Sequence, residues 1–198
     1  MVIRWFVVVA IFWLAAGSTV WANQPRGPLC DYPDLTGMTP VTLVDGAAPA
    51  AGTGGDVPGG RWELVAVRYA NSPLPITGDA VGALELDAAT ATTGAGSLAL
   101  DVTITAPVAE QINETGAGPY SATGTVLDFQ NDCGAESLLG EAEYSVENDG
   151  PDPVMTLWGE TVLDTGLGPI TILLEAEFVL VEPQSGVDPV FDDRFETP

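Results

Sequence analysis

Apolar and polar residues alternate with a period of two along most of this chain, and that period puts successive side chains on opposite faces of a β-strand. The clearest case is Ser97–Ala106, where Leu98, Leu100, Val102 and Ile104 fall on one face and Ser97, Asp101, Thr103 and Thr105 on the other. Arg61–Tyr69 places Trp62, Leu64 and Ala66 together, and Ile170–Glu182 aligns Ile170, Ile172, Leu174, Ala176, Phe178 and Leu180. Val81–Ala88, Tyr120–Asp132, Glu141–Asn148 and Val154–Leu163 read as further strands, and Pro40–Asp45 as a short early one. No segment carries a convincing helical period; only Ser137–Tyr144 has the composition for a turn or two of helix.

The connections decide how such strands pair. Asp149–Pro153 and Asp164–Pro169 are turn clusters too short for the crossover that a parallel return requires, so the last three strands form an antiparallel meander. Residues Pro107–Pro119 read as a polar loop. The expectation is an all-β chain with one antiparallel domain of about seven to eight strands over residues 61–183, closed as an up-and-down barrel or, as the alternative, packed as a β-sandwich. Residues 23–60 form a Pro/Gly/Ala-rich extension, with Gly46–Gly60 expected to be a flexible connector, and residues 184–198 an acidic tail.

The first 22 residues stand apart from this pattern. One arginine, an apolar run from Trp5 to Ala16, and Val20-Trp21-Ala22 with small residues at the cleavage positions make a signal peptide cut after Ala22. The mature chain is therefore expected to be secreted or periplasmic, with no further span to insert into a membrane. In an oxidising compartment Cys30 and Cys133 are expected to pair and tether the extension to the domain. Closing a loop of that length is worth up to about 4–5 kcal/mol in the chain-entropy view.

Charge narrows the partners. The formal net charge is −23, all five basic residues are arginine, and histidine and lysine are absent. Long-range repulsion argues against nucleic acid and anionic membranes. The same composition removes Ser-His-Asp, Cys-His and lysine-based catalysis and histidine-ligated metals. Carboxylate pairs remain, on Glu141, Glu143 and Glu147 and on Glu175 and Glu177, but alternating acids on a strand are ordinarily its solvated face. No catalytic residue is assigned, and the chain is read as not an enzyme. Asp149 and Asp152, with the acids of Asp188–Asp193, bring oxygen ligands together for a weak Ca2+ site, although Asn-Asp-Gly-Pro is also common turn chemistry.

Two short stretches carry resemblances. Gly60-Arg61-Trp62 at the start of the first long strand resembles the lipocalin family, in which the tryptophan closes the floor of an up-and-down barrel around a pocket. That resemblance implies a small apolar ligand held among Trp62, Leu98, Leu100, Val102, Phe129, Trp158 and Phe178; the same residues serve equally well as an ordinary core. The tail, with Phe191 and Phe195 flanking acids, resembles the aspartate-glycine-phenylalanine-glutamate ending of exported gammaproteobacterial proteins, with Arg194 at the glycine position. The resulting expectation is an exported, non-catalytic binding module, or alternatively a structural or adhesive surface domain, with calcium stabilisation as a further option. If the scattered acids are an adaptation to salt, the melting temperature rises with NaCl as self-repulsion is screened; a flat dependence from low to molar salt refutes that reading.

Overall fold

The alternating runs fold as strands. The computed structural model is described here for residues 31–47, 51–134, 141–148, 150, 152–164 and 168–185, and among these residues there is no helix. Ten strands follow one another: β1 (Val41–Asp45), β2 (Gly60–Ala70), β3 (Thr77–Thr90), β4 (Thr93–Ala106), β5 (Glu110–Thr123), β6 (Val126–Phe129), β7 (Cys133–Gly134), β8 (Glu141–Glu147), β9 (Val154–Asp164) and β10 (Pro169–Pro183).

Hydrogen bonding runs up and down through β2, β3, β4, β5, β6, β8, β9 and β10, and β10 then pairs with β2, so the sheet closes in a ring. Strands β2 and β3 touch directly only between Gly60–Glu63 and Leu86–Ala83. Beyond that they splay, and β1 wedges into the gap, antiparallel to β3 and parallel to β2. The parallel pair is possible because the long connector after β1 returns the chain to the start of β2.

Inside the ring lies one apolar core. Trp62, Phe178 and Met155 are fully buried, with Leu84, Leu98, Leu157 and Ile172 beside them. Along β4 and β10 the inward residues are those the alternation predicts. Along β2 they change phase. Leu64 pairs with Phe178 and Ala66 with Glu177, so Val65 is an extra, bulged residue. Val67 and Tyr69 therefore face inward with Trp62 and Leu64, and Ala66, expected on that face, turns away.

Three segments depart from the sequence expectation, each for a steric reason. Glu110–Pro119, expected to lie in a loop, belongs to a full strand, β5. Between Ile112 and Tyr120 it carries glycines because residues 130–132, which donate to the Pro119 and Ala117 carbonyls, come too close for side chains: a Cβ at Gly116 would run into Asn131, and one at Gly118 into the Gln130 carbonyl. Tyr120–Asp132, expected as one strand, is instead a hairpin of β5 and β6 turning at Gly124, whose φ of 62° suits glycine. In the region considered for a helical turn, Glu141–Tyr144 belongs to β8, and residues 137–140 lie outside the described residues.

The connector is the third departure. Gly54 bridges to β8 by donating to the Tyr144 carbonyl and accepting from Val146 N–H, both at 2.9 Å. Thr53 adds N–H and hydroxyl bonds to Ser145 Oγ at 2.9 and 3.0 Å. Three residues later Val57, 1% exposed, donates to the Ala91 carbonyl in the β3–β4 turn. In the ring order β8 and β3 lie on opposite sides, so residues 53–57 must cross one end of the ring. Trp62 Nε1 then donates to the Pro58 carbonyl at 3.2 Å, fixing the exit of this strap into β2. Gly54 and Gly55 let this segment lie close against the β5–β6 turn and β8. At Gly54 the φ is 71° and a Cβ would strike the Gly124 carbonyl.

Replacing Gly54 by alanine should lower the unfolding free energy by about 2–4 kcal/mol, from positive-φ strain plus loss of the Val57 burial. Urea denaturation reads this directly, and an unchanged midpoint would show that the strap contributes nothing to closing the ring.

Candidate functional site

Trp62, Leu98, Leu100, Val102, Phe129 and Phe178 all point into the ring and belong to the same buried cluster, none more than 7% exposed. What they leave between them is small. The cavity lined by Val67, Leu100, Val102, Leu157, Leu174 and Phe178 has a volume of about 40 Å³. That is space for water-sized occupants, against the ~300 Å³ or more of an ordinary small-molecule pocket. Leu100 and Leu157 come from β4 and β9, which face each other across the ring, so the side chains meet through its middle.

Trp158 does not join them. On β9 the inward residues are Met155, Leu157 and Thr161, and Trp158, one position out of phase, stands on the outer wall. There the registers align one residue per strand into a row: Val44 on β1, Arg68 on β2, Glu175 on β10, Trp158 on β9 and Glu143 on β8. The Trp158 indole N–H donates to Glu175 Oε2 at 3.2 Å, while Arg68 Nη1 donates to Glu175 Oε1 and, at 3.3 Å, to Glu177 Oε2. The guanidinium is raised above its ordinary value, chiefly by its hydrogen bond to Glu175, and remains charged. A carboxylate accepting from both an indole and a guanidinium is fixed in place, so the Trp158 ring is fixed with it.

The second arginine of the domain is treated alike. Arg61, also outward on β2, donates to Glu63 at 3.2 Å and Glu85 at 2.9 Å, and its Nη2 reaches the Asp34 carbonyl at 2.9 Å. Burial alone would pull its pKa down; the two carboxylates more than offset that. The Glu175 and Glu177 pair, considered above for acid–base work, is thus engaged as partners of Arg68 on a wall. Glu143 and Glu147 are exposed on β8, and Glu141's side chain lies outside the described residues.

For a cation the picture is sparse. Asp152 is exposed, Asp149 and Asp188–Asp193 lie outside the described residues, and among the described residues no three candidate ligands converge. Cys133 opens β7 opposite Ala117; Cys30 lies outside the described residues, so their pairing stands as an expectation. The outward Arg68–Glu175–Trp158 row escaped sequence reading. Its one available signal was the rarity of arginine, since a domain with two cations among many acids must place them where acids meet.

Compared with family models, with curated proteins and with solved structures, the chain matches none.

Buried tyrosines supply the electrostatic test. Tyr120 is 3% exposed, stacks on Phe129 with ring centroids 6.5 Å apart, and its hydroxyl has no hydrogen-bond partner. Burial, helped by the nearby Asp87 charge, pushes it up to about 12. Tyr144 is also raised, chiefly by burial. A raised folded-state value means the unfolded chain loses its proton first. The contribution is therefore intact below the ordinary tyrosine range near pH 10 and lost as pH climbs toward 12. Tyr120 accounts for about 2–3 kcal/mol of that loss. Thermal melts at stepped alkaline pH should show a shallower fall for Tyr120→Phe than for the wild type; parallel curves would contradict the assignment.

Proposed function

We propose that this chain is an exported, non-catalytic binding module that recognises its ligand on the outer wall of the closed sheet. The observation that carries the proposal is Trp158: an indole on the outside, only partly covered, held by Glu175 and flanked along its row by Glu143 and Arg68. A saccharide ring suits such a surface. Its C–H face packs on the indole, its hydroxyls donate to carboxylates and accept from a guanidinium, and its neutrality avoids the repulsion that a −23 chain imposes on polyanions. Side chains fixed on paired strands lose little further freedom on binding.

An apolar ligand inside the ring would need several hundred Å³, and the cavity between Val67, Leu100, Val102, Leu157, Leu174 and Phe178 holds about 40 Å³. The resemblance of Gly60-Arg61-Trp62 to lipocalins is supported by the up-and-down ring closure and by Trp62 lying at the strapped end; under this reading the likeness extends to the architecture and not to a pocket. A surface adhesive role is compatible with the same wall, because a polysaccharide-coated surface presents the same chemistry.

The expected result is saturable binding to one or more members of a panel of neutral oligosaccharides and insoluble polysaccharides. Trp158→Ala should weaken it at least tenfold with little change in melting temperature, and a fluorescent fatty-acid probe should show no displaceable binding. Stoichiometric fatty-acid binding that Trp158→Ala leaves intact would place recognition in the interior, and failure of every saccharide would end the proposed ligand class.

A further inference from the structure

A hollow much larger than the interior cavity lies on the outer wall at the strapped end of the ring. It measures about 640 Å³, within the ~300–1,000 Å³ of small-molecule sites. The local sequence explains it. The chain enters β2 through Gly59 and Gly60, which carry no side chains, while the strands on either side carry long polar ones. Glu182 and Gln184, at the end of β10, form one bank, and Glu85 and Asp87 of β3 the other. Ala95 and Gly96 of β4 widen the groove beyond β3.

Hydrogen bonds bridge this groove in two places. Arg61 donates from β2 to Glu85 at 2.9 Å. The Gln184 amide crosses from β10 to β3, donating to Asp87 Oδ1 at 2.5 Å and accepting from the Ala88 N–H at 3.0 Å. It lies over Gly59, where a Cβ would strike its Oε1. The polar groups are thus ordered before any ligand arrives. What they leave free is mostly of one kind. Arg61 directs its N–H groups to Glu63, Glu85 and the Asp34 carbonyl. Glu85 and Asp87 each have one oxygen engaged in the bridges, and Glu182 takes no part in the ion pairs of either arginine. Among the described residues no three acids converge as a metal site requires. Acceptors spread around a groove, beside the apolar surface of Leu86 and Pro183, suit a neutral ligand whose hydroxyl donors are spread likewise.

We infer that this groove is a second saccharide site, so that the wall holds one neutral polysaccharide chain at two points; the inference rests on the saccharide reading of the Trp158 row. Glu175, which holds the Trp158 indole, and Glu182 are seven residues apart on β10. In an unbroken strand that odd spacing would put them on opposite faces. The register shift between Leu180 and Glu182 leaves Val181 as an extra residue, and Glu182 comes opposite outward Arg61 just as Glu175 comes opposite outward Arg68. Both sites therefore share one face, separated by about 23 Å of strand. A disaccharide can occupy one of them at a time. A hexasaccharide is long enough to engage both, and its second contact is then intramolecular and favoured by effective concentration.

The test is calorimetric titration of the full mature chain with matched short and long sugars: cellobiose and cellohexaose, maltose and maltohexaose. For at least one pair the hexasaccharide should bind about tenfold tighter than the disaccharide, or better. Glu182→Ala should remove most of that gain while leaving disaccharide binding and the melting temperature unchanged. Glu182→Gln, which keeps an acceptor without the charge, should retain the gain within about twofold. Trp158→Ala should weaken binding at both lengths. Hexasaccharide binding that Glu182→Ala leaves intact, or an equal fall at both lengths, would overturn the second site and leave the Trp158 reading standing. A loss in Glu182→Gln as complete as in Glu182→Ala would mark the groove as a site for an organic cation and overturn the inference as well. Absence of binding to all four sugars would end both readings.

Discussion

The ladder between β2 and β10 is the constraint on which everything else rests. It joins the first long strand to the last over a register running from Leu173–Ala70 to Pro183–Gly60, and without it the sheet would be a curled ribbon with two open edges. This contact is also the most remote in sequence, so the chain must absorb the closure entropy of the whole domain before the ladder forms. What offsets that cost sits on both faces. Inside, Trp62 stands opposite Leu180 and Leu64 opposite Phe178; outside, Arg68 stands opposite Glu175.

Charge makes the outside pairing a matter of register as much as stability. The closing strands bring Glu63 from β2 together with Glu175, Glu177 and Glu182 from β10, a convergence of like charges in a chain with very few cations. Arg61 and Arg68 are the two basic residues of the described domain, and both stand on β2, each clasped by two glutamates. Partly exposed ion pairs of this kind are worth only about 1 kcal/mol each. A slip of one residue, however, would turn the arginines into the core and set glutamate against glutamate, so the pairs penalise the wrong closures more than they strengthen the right one.

Strands whose two faces differ sharply were legible in the sequence. Ser97–Ala106 and Ile170–Glu182 alternate cleanly because each lies between an apolar interior and a polar exterior. Legibility failed wherever a second piece of chain takes the place of a side chain. Glu110–Pro119 reads as part of a loop because Gly116 and Gly118 vacate space for residues 130–132, and Gly46–Gly60 reads as a floppy linker although Gly54 lies close against the Gly124 turn, where a side chain would not fit. The bulge at Val65 hides for another reason: one inserted residue inverts the phase of everything after it without changing composition. At the candidate site six of the seven expected residues share the interior, and the seventh, Trp158, is displaced by a single position of strand phase. Hydrophobicity cannot report that position, since a tryptophan is at home on either side of a wall.

Glycines where the inner face is crowded thus mark places where another piece of chain comes close. Inward glycines at 116 and 118 accommodate the chain from β6 to β7; at the strapped end Gly54 lets the connector pass against the β5–β6 turn. Outward Ala83, Ser97, Ala99 and Ala117 are small as well, and all four are buried. Inside the ring, the buried apolar side chains form a single core cluster. On the outer wall, the hydrogen bonds of Arg68 and Trp158 to Glu175 hold an indole in a fixed, partly covered position.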